Sequence, residues 1–251
     1  MDYTIKSLVK ASEILELLAE KPLTAKKIVE LLDMNKSTLH RFLYTLEIQN
    51  YIERNHNNEY QLSQKIIRLG LMAQNNLELS QVGKPFLIQM AERFGESCLL
   101  GSLDHDKVFY MDKVESANTV RIVLDAGQSA PLYTVASGKV FLAAMSQQHL
   151  RRYLETNELK SMTKNTITDK SQLLDEIKKI REKGYAIDNE ELEAGLRGIA
   201  VPVRNYTGNT IAALCVAGVS MRFSQEKAEL ISEDLKQIGN EFSKQLGFKP
   251  G

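Results

Sequence analysis

Apolar residues recur at helical spacing through the first fifty positions of this chain. Leu8, Ala11, Ile14, Leu15 and Leu18 share one stripe, which predicts a helix over Ser7–Ala19 that ends before Lys21-Pro22. A second stripe, Ala25, Ile28, Leu31 and Leu32, follows Thr24, a residue suited to cap a helix N-terminus. A third, Leu39, Phe42, Leu43 and Leu46, sits at i, i+3, i+4 and i+7. Only Asp33-Met34-Asn35 separates the last two, and Asp and Asn tolerate the left-handed backbone of a tight turn. Helix, short turn, helix is the helix-turn-helix pattern.

The polar positions of the third helix carry the chemistry. Opposite its apolar stripe lie Ser37, Arg41 and Tyr44, flanked by Lys36, His40 and Thr45. Hydroxyls, an aromatic OH and cations on one helix face suit phosphates and base edges in a major groove. Next come two alternating segments, Tyr51–Arg54 and Glu59–Leu62, around Asn55-His56-Asn57-Asn58, which read as a β-hairpin. Three helices and a hairpin make a winged helix-turn-helix. The candidate DNA contacts are Lys26, Lys36, Ser37, Thr38, His40, Arg41 and Tyr44, with Arg54 and Asn57 on the wing.

Further along, Ile66, Leu69, Gly70, Ala73 and Leu77 form a stripe with no partner large enough in the first domain. They predict a linker helix over 66–79 that packs on a second subunit. Gly83-Lys84-Pro85 marks the expected boundary, because proline starts or breaks a helix. Beyond it the pattern changes. Ser97–Leu103, Val108–Val114, Thr119–Asp125, Gly198–Val203 and Thr210–Val219 are short β-branched and apolar runs bounded by turn residues, and 205–209 reads as a hairpin loop. Helical patterns cover Ala136–Met145, Gln147–Glu155, Lys170–Lys183 and Gln225–Leu246, the last capped by Ser224 and stopped by Gly247. The expected fold is α+β in two domains: a winged helix-turn-helix at 1–64, a linker helix at 65–82, and an α/β domain at 83–251 with a largely antiparallel sheet and helices on one or both faces.

Composition narrows the function. The chain has 32 Lys+Arg against 32 Asp+Glu, so bulk charge gives no hint of nucleic acid. Residues 1–70 hold ten basic against nine acidic side chains, so any DNA-binding field is a local arrangement. The two cysteines, Cys98 and Cys215, lie far apart in apolar runs and read as buried thiols of a reducing cytoplasm. No apolar stretch is long enough for export or membrane insertion. The four histidines are scattered outside any metal-binding spacing. Ser137 lacks the surroundings of a nucleophile elbow, and Gly138-Lys139 lacks the P-loop's first glycine and its Ser/Thr. Asp188, Glu190, Glu191 and Glu193 form an acidic cluster that reads as a solvated loop. Neither an enzyme nor a bound cofactor is expected. The competing reading is a ligand-binding module whose winged helix binds protein. Such a face would present apolar anchors, and Ile48 is the only one there.

Five segments together resemble the IclR family of bacterial transcriptional regulators: KSLVKASEILELL at 6–18, NKSTLHRFLYTLEIQNYIER at 35–54, YQLSQKIIRLG at 60–70, LYTVASGKVFLAAM at 132–145 and GYAIDNEELEAGLRGIAVPV at 184–203. The resemblance spans nearly the whole chain. It departs at Asp33, where the family often has glycine, though Asp can adopt the same backbone. It implies a winged-helix DNA-binding domain and a GAF-like effector domain that binds a small molecule; the dimer expected from the 66–79 stripe makes the expected operator in double-stranded DNA palindromic. It also implies homodimers that often pair into tetramers. In similar proteins the loop matching Ala136 and Ser137 contacts the ligand, as do the positions matching Asp188, Gly198, Cys215 and Ala217. A helix N-terminus at Ala136-Ser137 suits a carboxylate, although an ordinary cap reads equally well. Members that bind small keto acids carry polar side chains where this chain has Cys215 and Ala217. A wider, less polar pocket is therefore expected here, for a sugar acid, an aromatic acid or a short organic acid. Asp188 is expected to accept hydrogen bonds from ligand hydroxyls.

Overall fold

The computed structural model describes residues 4–75, 78–119 and 126–249. The chain divides into two compact units, Met1–Leu77 and Glu78–Gly251.

In the first unit, helices α1 (Lys6–Glu20), α2 (Ala25–Leu32) and α3 (Lys36–Ile48) precede strands β1 (Ile52–Arg54) and β2 (Tyr60–Leu62). Thr24 caps α2 by accepting the Lys27 N–H, and Asn35 caps α3 by accepting the Ser37 N–H at 2.9 Å. Asp33 adopts the left-handed conformation between them, at φ 47 and ψ 46. The turn therefore forms without glycine. The core gathers Ile14, Leu18, Ile28, Leu39, Leu43, Leu46, Ile52 and Tyr60. An antiparallel bridge between Leu23 and Tyr60 ties the start of α2 to the wing. One part of the α1 stripe departs from expectation. Ile14 and Leu18 are buried, but Leu8 is 67% exposed, because the first turns of α1 run past the edge of this small core.

Helix α4 (Gln64–Asn75) covers the first part of the expected linker, and Leu77 lies outside the described residues. Helix α5 (Glu78–Phe94) then runs straight through Pro85, which the sequence had marked as a boundary. The proline removes a helix N–H at a cost of about 3 kcal/mol. Burial of Phe86, Leu87, Met90 and Phe94 against the second core outweighs it, at about 1.5–3 kcal/mol for each.

The second unit is built on one antiparallel six-stranded sheet. Its strands are β3 (Ser97–Asp104), β4 (Lys107–Val114), β5 (Ser129–Pro131), β6 (Ala186–Asn189), β7 (Leu196–Arg204) and β8 (Thr210–Val219), in the order β5-β4-β3-β8-β7-β6. Alternation along each strand feeds two cores. Cys98 and Leu100 face α5 and the C-terminal helices, while Leu99 and Cys215 face α6 (Ala136–Ala144), α7 (Gln147–Thr156) and α8 (Lys170–Lys183). Helices thus cover both faces. The two cysteines are buried in different cores and remain free thiols.

The strand expected at 119–125 falls almost wholly outside the described residues. Two details differ from the sequence reading. Strands β5 and β6 were not anticipated. The closing helix is two, α9 (Gln225–Leu230) and α10 (Ser232–Gln245), because Ile231 at ψ −4 tightens the backbone between them. Ser224 caps α9, and beyond α10 the Gly247 and Phe248 N–H groups bond back to Lys244 and Ser243 carbonyls, as expected of the stop.

Candidate nucleic-acid interface and ligand cavity

The face of α3 opposite its buried stripe is open to solvent. Lys36, Ser37, Thr38, His40, Arg41 and Tyr44 are all exposed there, and Lys26 is exposed on α2. Among the described residues Lys26, Lys36 and Arg41 have no ion-pair partner, whereas Lys27 is paired with Glu30 at 3.1 Å. Ser37 also donates its hydroxyl to Asn35 Oδ1 at 2.8 Å, so the helix cap fixes its rotamer. Phe42, expected in the core, is only half-buried. With Leu8, Thr38 and Arg41 it lines a shallow apolar hollow between α1 and α3.

The wing presents its polar groups unequally. Asn55 organises the tip by accepting the N–H groups of Asn57 and Glu59, which leaves the Asn57 side chain outward and exposed. Arg54 is more constrained than the sequence suggested. Its guanidinium lies 4.7 Å over the Tyr60 ring, donates to Asn58 Oδ1 at 2.9 Å and faces Glu47 at 3.5 Å. It shapes the wing base and carries less free charge than Arg41.

In the second unit a cavity lies between the sheet and the first turn of α6. Ala136, Asp188, Gly198, Cys215 and Ala217 line it, together with Leu99, Tyr110, Val135, Leu192, Leu196, Glu193 and Arg197. Strand register explains the grouping: Asp188, Gly198 and Ala217 lie side by side across β6, β7 and β8. Gly198 keeps the floor open, since a Cβ there would stand 3.6 Å from Cys215 Sγ and 3.9 Å from Ala136 Cβ. Gly138 lets the helix start approach this closely, because its Cβ would fall 2.3 Å from the Leu132 carbonyl oxygen.

Ser137 is placed otherwise than expected. It is wholly buried and absent from the cavity wall, and Val135 rather than Ser137 takes the cap position. Its Oγ lies 3.1 Å from the Tyr110 hydroxyl, so it orients a ring that does line the cavity. Nor is the space wide. It encloses ≈ 40 Å³, room for a few water molecules, and its walls are mostly apolar. Organic ligands need a wall to move.

Two members of the acidic cluster are buried, while Glu190 is half-buried and Glu193 exposed. Asp188 is 7% exposed and Glu191 4%. Lys139, the lysine of the discounted Gly138-Lys139 pair, reaches Glu191 Oε1 at 2.6 Å, and both are buried. Glu191 in turn donates its N–H to Asp188 Oδ1 at 2.8 Å. Burial pushes the Asp188 carboxyl up to about 7, against the pull of the Glu191 N–H and Lys139. Burial also raises the Cys215 thiol to about 12 and lifts the Tyr110 hydroxyl. Both are neutral at physiological pH. Tyr110 and Leu99 were detectable in principle from the inward alternation of their strands; Arg197 carried no such signal. Among the described residues no cluster of His, Cys, Asp and Glu could hold a metal ion.

Two family models match: the IclR helix-turn-helix domain over residues 7–56, and the C-terminal domain of the bacterial transcriptional regulator IclR over 72–244. The chain belongs to the IclR family. As an IclR-family protein it is a DNA-binding transcriptional regulator, not an enzyme. Relatives include the regulators KdgR and XynR of Escherichia coli. KdgR is 34% identical over 98% of this chain and 94% of its own length, and XynR 32% identical over 97% and 98%. Among solved structures, the IclR regulator of Alicyclobacillus acidocaldarius is 31% identical, with a TM-score of 0.85 over 98% of this chain and all of its own. An IclR homologue from Microbacterium hydrocarbonoxydans, complexed with 4-hydroxybenzoate, shares the fold at 24% identity and a TM-score of 0.77, over 90% of this chain and 91% of its own. No described helix of this IclR-family chain is long and apolar enough to cross a membrane.

Proposed function

We infer that α3 reads the major groove of a palindromic operator, that two copies of the chain bind it together, and that a small acid in the Asp188 cavity controls the affinity. The observation that carries the DNA reading is the exposed face of α3, where Arg41 stands unpaired among the described residues beside Ser37 and Tyr44. Lys26 and Lys36 reinforce it, and Thr38 and His40 flank it. Arg54 and Asn57 bring the wing to the backbone or the adjacent minor groove. Exposed Ile67 and Leu69 on α4 support a homodimer, as a base from which dimers can pair again. In this reading residues 1–64 bind DNA, 65–82 link and 83–251 sense, in the cytoplasm where the DNA is.

The ligand reading rests on five expected positions converging on one cavity, with Ser137 acting through Tyr110. That the homologue from Microbacterium hydrocarbonoxydans is complexed with 4-hydroxybenzoate supports an organic acid as the class. Control requires that the ligand bind two arrangements of the dimer with different affinity.

The test of the DNA reading is Arg41→Ala. It should lose roughly 1–3 kcal/mol of specific operator binding with the thermal melt unchanged. Anisotropy titration against the chain's own promoter region reads this directly. Equal affinity of the variant and wild type would remove Arg41 from the interface.

A further inference from the structure

We propose that an anionic ligand enters the Asp188 cavity together with a proton, held on the Asp188 carboxyl, which then donates a hydrogen bond to the ligand's carboxylate. This rests on the reading of that cavity as the ligand site, and adds the charge state in which the site works.

The argument is a count of charges. From α6, Lys139 faces Asp188, but Glu191 already neutralises it at 2.6 Å. Glu191 keeps its second carboxylate oxygen buried with no hydrogen-bond partner among the described residues, and the Lys139–Glu191 pair, neutral as a whole, brings no net positive charge to Asp188. From β7, Arg197 is committed to Asn189 Oδ1 at 2.7 Å, the Phe223 carbonyl at 2.8 Å and Glu190 at 3.2 Å. Tyr110 on β4 and Cys215 on β8 are neutral, and Glu193, in the loop between β6 and β7, adds a further negative charge at the cavity wall. An ionised Asp188 therefore has no free cation facing it. A ligand carboxylate brought beside it would place two like charges in an apolar cavity, the arrangement in which one group takes a proton. A protonated carboxyl removes the repulsion and supplies the one donor an anion needs. The Glu191 N–H, at 2.8 Å on Asp188 Oδ1, and the Leu192 N–H both hold the carboxyl as an acceptor, and the proton takes a lone pair they leave free.

The experiment is calorimetric titration of the full chain with pyruvate, glycerate, gluconate and benzoate, in buffers of different ionisation enthalpy, from pH 6 to pH 8. These acids stay ionised throughout, so any pH dependence belongs to the protein. The expected result is net proton uptake and an affinity for the bound acid that falls about tenfold between pH 6 and pH 8. Asp188→Asn, whose amide donates at every pH, should bind with little pH dependence and more tightly than wild type at pH 8. Gly198→Val, checked for folding by its melt, should lose binding because its methyls fill the cavity. If an acid binds, Gly198→Val abolishes it, and wild type shows neither proton uptake nor pH dependence, the proton is wrong and the cavity stands. If Gly198→Val binds as wild type does, or no acid of the four binds at any pH, the cavity reading fails and this proposal fails with it.

Discussion

Asp188 shows what one buried side chain does to the whole protein. Its carboxyl titrates near 7 in the fold and near 3.8 when exposed, chiefly because burial withdraws water from the charged form. The sign follows directly. Between those two values the folded chain holds a proton that the unfolded chain has released, so stability is fully present below about pH 4 and is lost as pH rises through 7. The full effect is of order 4 kcal/mol. Asp188→Asn keeps an acceptor for the Glu191 N–H and removes the titration. Its melting temperature should exceed that of wild type at pH 7.5, and the gap should shrink steadily toward pH 4. A gap that is constant across that range would mean that Asp188 is not the group responsible. The same carboxyl is then both a destabilising element and the device that sets which ligand charge the cavity accepts. This trade is common at sites held ready for function.

At the scale of elements, α3 depends on the residue that caps it. Asn35 accepts the Ser37 N–H and also the Ser37 hydroxyl, so one side chain caps the helix and aims a group of the proposed DNA face. Asn35→Ala should lower stability by about 1 kcal/mol and weaken operator binding beyond that loss of folded protein. Chemical denaturation and anisotropy on the same preparation separate the two; unchanged stability would refute the capping role. The Thr24 and Ser224 caps were read in advance, because caps and amphipathic stripes are local and periodic; Asn35 was read only as part of the turn. The elements that escaped were those decided by distant contacts. Strand β6 is four residues, Ala-Ile-Asp-Asn, with two poor strand formers, and it exists because β7 pairs with it. Strand β5 is Ser-Ala-Pro, held on β4 by its register with Lys107–Phe109. Pro85 sits within a helix because its neighbours are buried. The ligand cavity followed the same rule. Ala136, Gly198, Cys215 and Ala217 were found from the resemblance, but the burial of Glu191, the pairing of Lys139 and the retreat of Ser137 behind Tyr110 depend on segments 52 and 27 residues apart packing together.

At the scale of the molecule, the charge balance argues for two copies on DNA. A chain of net charge zero, whose first seventy residues carry one excess positive charge, has little long-range attraction for a polyanion. In the proposed reading binding strength comes from local contacts by Lys26, Lys36 and Arg41, and a dimer would double the phosphates they neutralise. The surface proposed for that dimer is α4. Ile67 and Leu69 there are 55% and 43% exposed, two apolar side chains two positions apart and so on different faces of the helix. Replacing both with lysine changes nothing in the buried core of the first unit. The double variant should sediment as a monomer at micromolar concentration, where wild type should be a dimer or larger. Its operator affinity should fall steeply, and the slope of log affinity against log salt should drop to about half, since each copy releases its own counterions. Footprints of the wild type should protect half-sites about one helical turn, roughly 10 bp, apart or a multiple of that. A lysine variant that stays dimeric would move the interface away from α4. One that becomes monomeric yet keeps the full salt slope would show that a single copy makes all the phosphate contacts, and the two-fold operator would have to be abandoned.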